Sequence, residues 1–180
     1  MKKLFAFSLV ALLSLSVVFA QNAISDFPDG YYRIKNKATG KYIDVEGNSK
    51  NNGSNVHAWQ YNRGADSQIW YVSNLGNGMY TIAAKHSGKL LEIDVNNAKA
   101  GQSGGNGKPA QTWENAGTPQ QKWEILDSNP DRYEFYLRCV SNNKSLDVKS
   151  EDGSKDGAQI QVWDLQRGND RQVWVFEPEM

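Results

Sequence analysis

The chain has 180 residues, with 20 Lys and Arg against 20 Asp and Glu, 39% hydrophobic residues and 11% aromatic ones. A balance of zero, with no basic cluster beyond Lys2 and Lys3, argues against nucleic acid or anionic lipid as a partner. Cys139 is the sole cysteine, which excludes an internal disulfide framework, and two histidines at unrelated positions, His57 and His86, support neither a zinc site nor a Cys/His dyad.

In chain order, residues 1–20 read as a secretory signal. Lys2 and Lys3 form the charged start, Leu4 to Phe19 the apolar run, and Val18-Phe19-Ala20 a small-residue cleavage pattern. A retained membrane anchor is the rival reading, but a run of about sixteen residues is short for a span. Export with cleavage leaves 18 basic residues against 20 acidic ones, and no membrane contact thereafter. Residues 21–28 are expected to be a short leader, and 29–177 one domain with enough chain for a core of its own.

The first unit, about residues 29–77, opens with an aromatic extended segment, Tyr31 to Ile34, followed by a turn at Thr39-Gly40 and an alternating run, Tyr42 to Val45. A polar loop comes next, then a third strand ending on Trp59 and a fourth starting at Gln68-Ile69-Trp70. The second unit, about 78–129, repeats the order with Met79 to Ile82, Ser87-Gly88, Leu90 to Ile93, Trp113 and Gln121-Lys122-Trp123. The third, about 130–177, has Arg132 to Phe135, Asn142-Asn143, Ser145 to Val148, Trp163 and Gln172-Val173-Trp174. Its loop Asp152-Gly153-Ser154-Lys155-Asp156-Gly157 resembles the start of a calcium loop, but Trp163 stands where the twelfth position requires Glu, so a hairpin loop is expected.

All six tryptophans fall into this scheme, so the chain is a triplicated unit with a period of about fifty residues. Short strands between turn residues, without helical periodicity, predict an all-β domain of twelve strands. Three units close most simply as a threefold barrel, since closure removes unpaired edges, whereas a propeller usually needs at least four blades.

Alternation of faces along a strand separates two tryptophan classes. Ile160 and Val162 face inward, which sends Gln161 and Trp163 outward; Val56 and Ala58 do the same for His57 and Trp59, and Ala110 and Thr112 for Gln111 and Trp113. Trp70, Trp123 and Trp174 share parity with Val72, Ile125 and Phe176 and are expected in the core. Gln68, Gln121 and Gln172 read first as scaffold, bonding strand-end backbone, and second as ligand contacts. Cys139, between Leu137 and Val140, reads as a small buried residue rather than a nucleophile.

On the second strand of each unit the outward position is an acid: Asp44, Glu92 and Asp147. An acid, an amide or imidazole, and an indole on one face suit a saccharide. The indole covers the C–H face of a pyranose, the carboxylate accepts from adjacent hydroxyls, and the amide both donates and accepts. The alternative is that the acids cap turns and the indoles cover the barrel mouth. Three large indoles placed outward favour the binding reading.

The triplicated Gln-x-Trp, with Asp in a Leu-Asp-Val or Ile-Asp-Val run and an apolar-Gln-x-Trp strand between, resembles the ricin-type β-trefoil lectin family over residues 29 to 177. The resemblance implies a β-trefoil of three pseudo-symmetric repeats with up to three shallow sugar sites, often for galactose-like or xylan-type residues. It places Asp147, Gln161, Trp163 and Gln172 in the third site, Asp44, His57, Trp59 and Gln68 in the first, and Glu92, Gln111, Trp113 and Gln121 in the second. The chain departs from the family with His57 in place of Gln, and with Ser67, Gln120 and Arg171 where Asn commonly precedes the triplet's Gln.

Three equivalent acids on different sides of a threefold object cannot work as the close carboxylate pair that glycoside hydrolysis needs, so no enzyme activity and no cofactor are expected. A monomeric, secreted carbohydrate-binding protein is the favoured reading. A trefoil that binds protein, such as a secreted protease inhibitor, is the alternative, with the Gly-bearing loop from Asn96 to Pro109 as its only candidate insertion loop.

Overall fold

The computed structural model describes residues 23–95 and 105–180, so the expected signal segment and most of the Asn96–Pro109 loop lie outside the described residues. Within them the chain forms β1 (Gly30–Asn36), β2 (Tyr42–Val45), β3 (Ser54–Trp59), β4 (Trp70–Gly76), β5 (Met79–Ala84), β6 (Leu90–Ile93), β7 (Lys108–Trp113), β8 (Trp123–Asn129), β9 (Glu134–Cys139), β10 (Ser145–Val148), β11 (Ala158–Trp163) and β12 (Trp174–Pro178). Helical structure among the described residues is confined to short 3-10 turns.

Pairing closes these strands on themselves twice. β1, β4, β5, β8, β9 and β12 form a ring of six antiparallel neighbours, with β12 returning to β1. The hairpins β2–β3, β6–β7 and β10–β11 pair with one another through β3, β7 and β11 as a triangular cap. Twelve strands in three equivalent sets of four make a β-trefoil. The turn leading into each hairpin needs a left-handed residue, and Gly40, Gly88 and Asn143 supply it at φ 67°, 69° and 60°.

The core indoles are where parity places them. Trp70, Trp123 and Trp174 have no exposed surface, and each Nε1 donates at 3.0 Å to a second-strand carbonyl, of Ile43, Leu91 and Leu146 respectively. Burial of the ring drives the contact and the bond removes the cost of an orphaned N–H, so each indole ties barrel to cap. Cys139 is fully buried, and burial pushes its thiol pKa up. Its counterparts in the other units are Asn36 and Ala84, whose amides donate to the carbonyls of Lys41 and Lys89 as the Cys139 amide donates to that of Lys144.

One expectation needs correction. The fourth strand of each unit begins at the Trp of the triplet, because the Gln closes a 3-10 turn, Asp66–Gln68, Pro119–Gln121 or Asp170–Gln172. Residues 23–28, in the described segment before β1, pack into the barrel. Phe27 is 5% exposed and lies 5.4, 6.2 and 5.2 Å from Tyr32, Tyr80 and Phe135, the equivalent rings of the three units, so it sits near the pseudo-threefold axis. Its amide donates to Tyr80 Oη at 2.9 Å, and that hydroxyl donates to the Ile24 carbonyl at 2.8 Å. One aromatic residue in a short polar segment carries no periodicity, which is why the packing is invisible in the sequence.

Candidate functional site

Each hairpin of the cap presents an acid and its partner in direct opposition. The cross-strand pairs are Asp44 with His57, Glu92 with Gln111 and Asp147 with Gln161, and the next outward pair in each hairpin contains Trp59, Trp113 or Trp163. A non-local register of this kind brings the three residue types onto one face. Gln111 Nε2 donates to Glu92 Oε1 at 2.8 Å and Gln161 Nε2 to Asp147 Oδ1 at 3.0 Å.

The indoles stay outward. Trp163 is 38% exposed and Trp59 and Trp113 are half-buried. Each rests on the hairpin loop of another unit: Trp113 against Gly53, Trp163 against Gly107 and Trp59 against Gly157. A Cβ on these glycines would stand 3.5, 3.9 and 3.7 Å from the ring, and their φ of 76°, 84° and 81° disfavours a side chain in any case. Beside the contact, Gly53, Gly107 and Gly157 donate their amides to the carbonyls of Thr112, Val162 and Ala58.

Gln68, Gln121 and Gln172 hold the far wall of each site. Their side chains are wholly buried. Each Nε2 donates to the carbonyl of Gln60, Glu114 or Asp164, while each Oε1 accepts the amide of Asn62, Ala116 or Gln166. Gln121 Nε2 also donates to Glu92 Oε2 at 2.8 Å. With no accessible surface these glutamines act through the backbone and side chains they bond: they shape the loop and, in the second and third units, also bond the acid.

The third unit has the most complete cleft. A hollow of ≈ 420 Å³ brings together Asp147, Gln161 and Trp163 with Gln166, Asn169 and Arg171. Burial raises the Asp147 pKa, opposed by hydrogen bonds from Gln161 and Gln172 and by the Arg171 charge. Arg171 also donates to the Gly153 carbonyl at 3.2 Å. Gln166 and Asn169 were missed in the sequence because they lie on an irregular loop, while Arg171 was visible only as a departure from family pattern. The second unit offers Glu92, Gln111, Trp113 and Thr118 around ≈ 180 Å³.

The first unit is arranged differently from the other two. His57 is 5% exposed and stacks on Trp59, with centroids 5.0 Å apart and 21° between planes. Its Nε2 is 3.6 Å from Asp44 Oδ2, beyond hydrogen-bond reach. The open hollow beside Asp44, ≈ 560 Å³, is walled instead by Asn48, Lys50, Asn62, Ser67 and by His86 of the second unit. With His57 in place of a glutamine and its ring stacked on Trp59, Asp44 lacks the amide partner that its counterparts have. Asp44 Oδ1 is buried with no hydrogen-bond partner among the described residues.

Asp152 serves its own loop. Its Oδ2 accepts the Gln159 amide at 2.9 Å and Lys155 pairs with Oδ1 at 3.1 Å, and the first of these holds its pKa below the usual carboxylate range. Among the described residues no group of three His, Cys, Asp or Glu side chains is placed to hold a metal ion.

A family model described as "Ricin-type beta-trefoil lectin domain-like" matches residues 24–103 and 96–163. The chain has no match among curated proteins. Among solved structures it is similar to the designed 3-fold symmetric protein ThreeFoil, at 31% identity and TM-score 0.73, covering 84% of this chain and 100% of that one. It is also similar to an exo-β-1,3-galactanase from Clostridium thermocellum, at 25% identity and TM-score 0.73, over 83% of this chain but 30% of the galactanase. The Macrolepiota procera ricin B-like lectin, solved in complex with lactose, shares the fold at 21% identity and TM-score 0.66, over 85% of this chain and 99% of the lectin.

Proposed function

Because this chain belongs to the ricin-type β-trefoil lectin-domain family, we propose that it binds carbohydrate at the outward faces of its cap hairpins. One observation carries the reading: the Asp147–Gln161 pair lies at the base of an open cleft beside the exposed face of Trp163. A pyranose seated there stacks its C–H face on the indole and donates hydroxyl protons to Asp147, while Gln161, Gln166 and Asn169 offer both donors and acceptors. In the first unit the orphaned Asp44 Oδ1 is an acceptor awaiting a hydroxyl donor.

The sites are shallow, which suits weak single contacts on the order of millimolar, about 4 kcal/mol each. Three of them on one barrel favour a polymeric or branched glycan, on which several engage together. Galactose-like or xylan-type residues are the first classes to try. The protein works as a monomer outside the cell after cleavage of residues 1–20, and it catalyses nothing: Asp44, Glu92 and Asp147 stand on separate hairpins, each with its own partner set.

A glycan array probed with the mature protein tests the reading. The expected result is a family of saccharides sharing one terminal or backbone residue, with the signal reduced by free sugar of that type. Silence across neutral and acidic mono-, oligo- and polysaccharides would overturn it in favour of a protein partner.

A further inference from the structure

A separate cleft of ≈ 370 Å³ opens on the flank of the barrel in the second unit, walled by Leu75, Met79, Thr81, Leu90, Thr118 and Lys122. Pseudo-symmetry explains why it is there. Tyr32, Tyr80 and Phe135 are equivalent, each paired with the core Trp of a neighbouring fourth strand, so the residues that follow them, Arg33, Thr81 and Tyr136, are equivalent too. In the first unit this place is filled by Arg33, buried with its guanidinium 5.0 Å from the Tyr61 ring. In the third it is filled by Tyr136, 3% exposed, packed with Leu126 and Val173 against Leu165, its hydroxyl accepting the Gly168 amide at 3.1 Å.

The second unit lacks the occupant and has different walls: Ser73 and Lys122 stand where the third unit has Leu126 and Val173, and the apolar lining is Leu75, Met79 and Leu90. Thr81 is too short to fill the space, and the loop residue equivalent to Tyr61 and Leu165 is Asn115. These three each follow the residue whose carbonyl is held by the buried Gln of the triplet, which fixes their correspondence. Gly117, four residues before its Gln as Gly168 is before Gln172, lies on the rim.

We propose that this cleft binds a planar phenol-sized ring, for which Tyr136 in the third unit is the protein's own template. The apolar side chains Leu75, Met79 and Leu90 take the ring face, and the polar rim of Thr118, Asn115 and Lys122 takes its oxygen. Thr118 also lines the Glu92–Trp113 site, so the two hollows share a wall. The occupant is therefore an aromatic substituent carried by a saccharide seated at Glu92; this second step rests on the carbohydrate reading, whereas the ring site does not.

The test is a titration of the whole chain with p-cresol, followed by NMR of the Met79, Leu75 and Leu90 methyl groups. Saturable shifts at these methyls are expected, with none at Leu165. Thr81→Tyr rebuilds the filling that the third unit has and should weaken p-cresol binding by at least about tenfold, leaving Trp163-dependent glycan binding unchanged. 4-Methylcyclohexanol, of similar size but puckered, should bind several-fold more weakly. Tyr136→Thr, where it folds, should open a matching cleft and bring p-cresol shifts to Leu165. Absence of saturable shifts, an equal response to 4-methylcyclohexanol, or full binding by Thr81→Tyr would overturn the ring site. Tighter binding of 4-nitrophenyl β-galactoside than of methyl β-galactoside, with the gain lost in Thr81→Tyr, supports the saccharide-borne ring. Binding of p-cresol with no such gain overturns that second step alone.

Discussion

Gln161 faces Asp147 across the β10–β11 hairpin and donates to its carboxylate at 3.0 Å, holding a buried charge at the base of an open cleft. Desolvation works against that charge and the amide only partly offsets it, so the site is maintained against local stability.

Asp147→Asn should therefore abolish binding at the third site while raising the melting temperature at neutral pH. The sign follows from linkage. The folded-state pKa is raised, so the folded protein takes up the proton first, and the cost of the charge is fully present above the folded value. That cost disappears as pH falls through the folded value towards the ordinary carboxylate range. Melting curves of wild type and variant should converge over that acidic window, and sugar affinity of the wild type should fall there too. A variant less stable than wild type at pH 7 would contradict the argument.

Trp163→Ala and Trp174→Ala separate the two indole classes. Trp163 is 38% exposed, so its loss should cost no more than about 1 kcal/mol while removing binding at the third site. Trp174 is fully buried and bonded to the Leu146 carbonyl, and its truncation should cost about 3–5 kcal/mol. Urea denaturation of both variants checks the contrast.

Gln172→Ala tests the loop clamp. It removes the bonds to the Asp164 carbonyl and the Gln166 amide, at a cost of about 1–3 kcal/mol. Hydrogen exchange should quicken at Gln166 first, and affinity at the third site should drop although the side chain is buried. Unchanged exchange at Gln166 would refute the clamp.

Phe27→Ala should cost about 3–5 kcal/mol, the range for a large core aromatic. A chain starting at Gly30 should lose at least as much, because the bonds from Tyr32 to the Pro28 carbonyl and from Asn74 to the Ser25 carbonyl go with it. If the shortened protein melts with the full one, the segment is dispensable.

The twelve strands and both indole classes were legible because they depend on period and parity, which a triplicated sequence states three times over. The acid and its cross-strand partner were legible for the same reason, as Asp147 and Gln161 sit on regular strands. What escaped depends on irregular backbone or contact between units. Gln68 reads as the first residue of a strand but closes a 3-10 turn, because satisfaction of loop amides overrides alternation there. His86 lines the hollow beside Asp44 from the second unit, and His57 stacks on Trp59. Neither event has a local signal.

The seam between units runs one way round. Asn52 accepts the Glu114 amide, Asn106 the Asp164 amide and Asp156 the Gln60 amide, beside the glycines that back Trp113, Trp163 and Trp59. Every outward indole face is thus a joint product of two successive modules, and the last module completes the first. A single module made as a peptide would own an indole with nothing behind it.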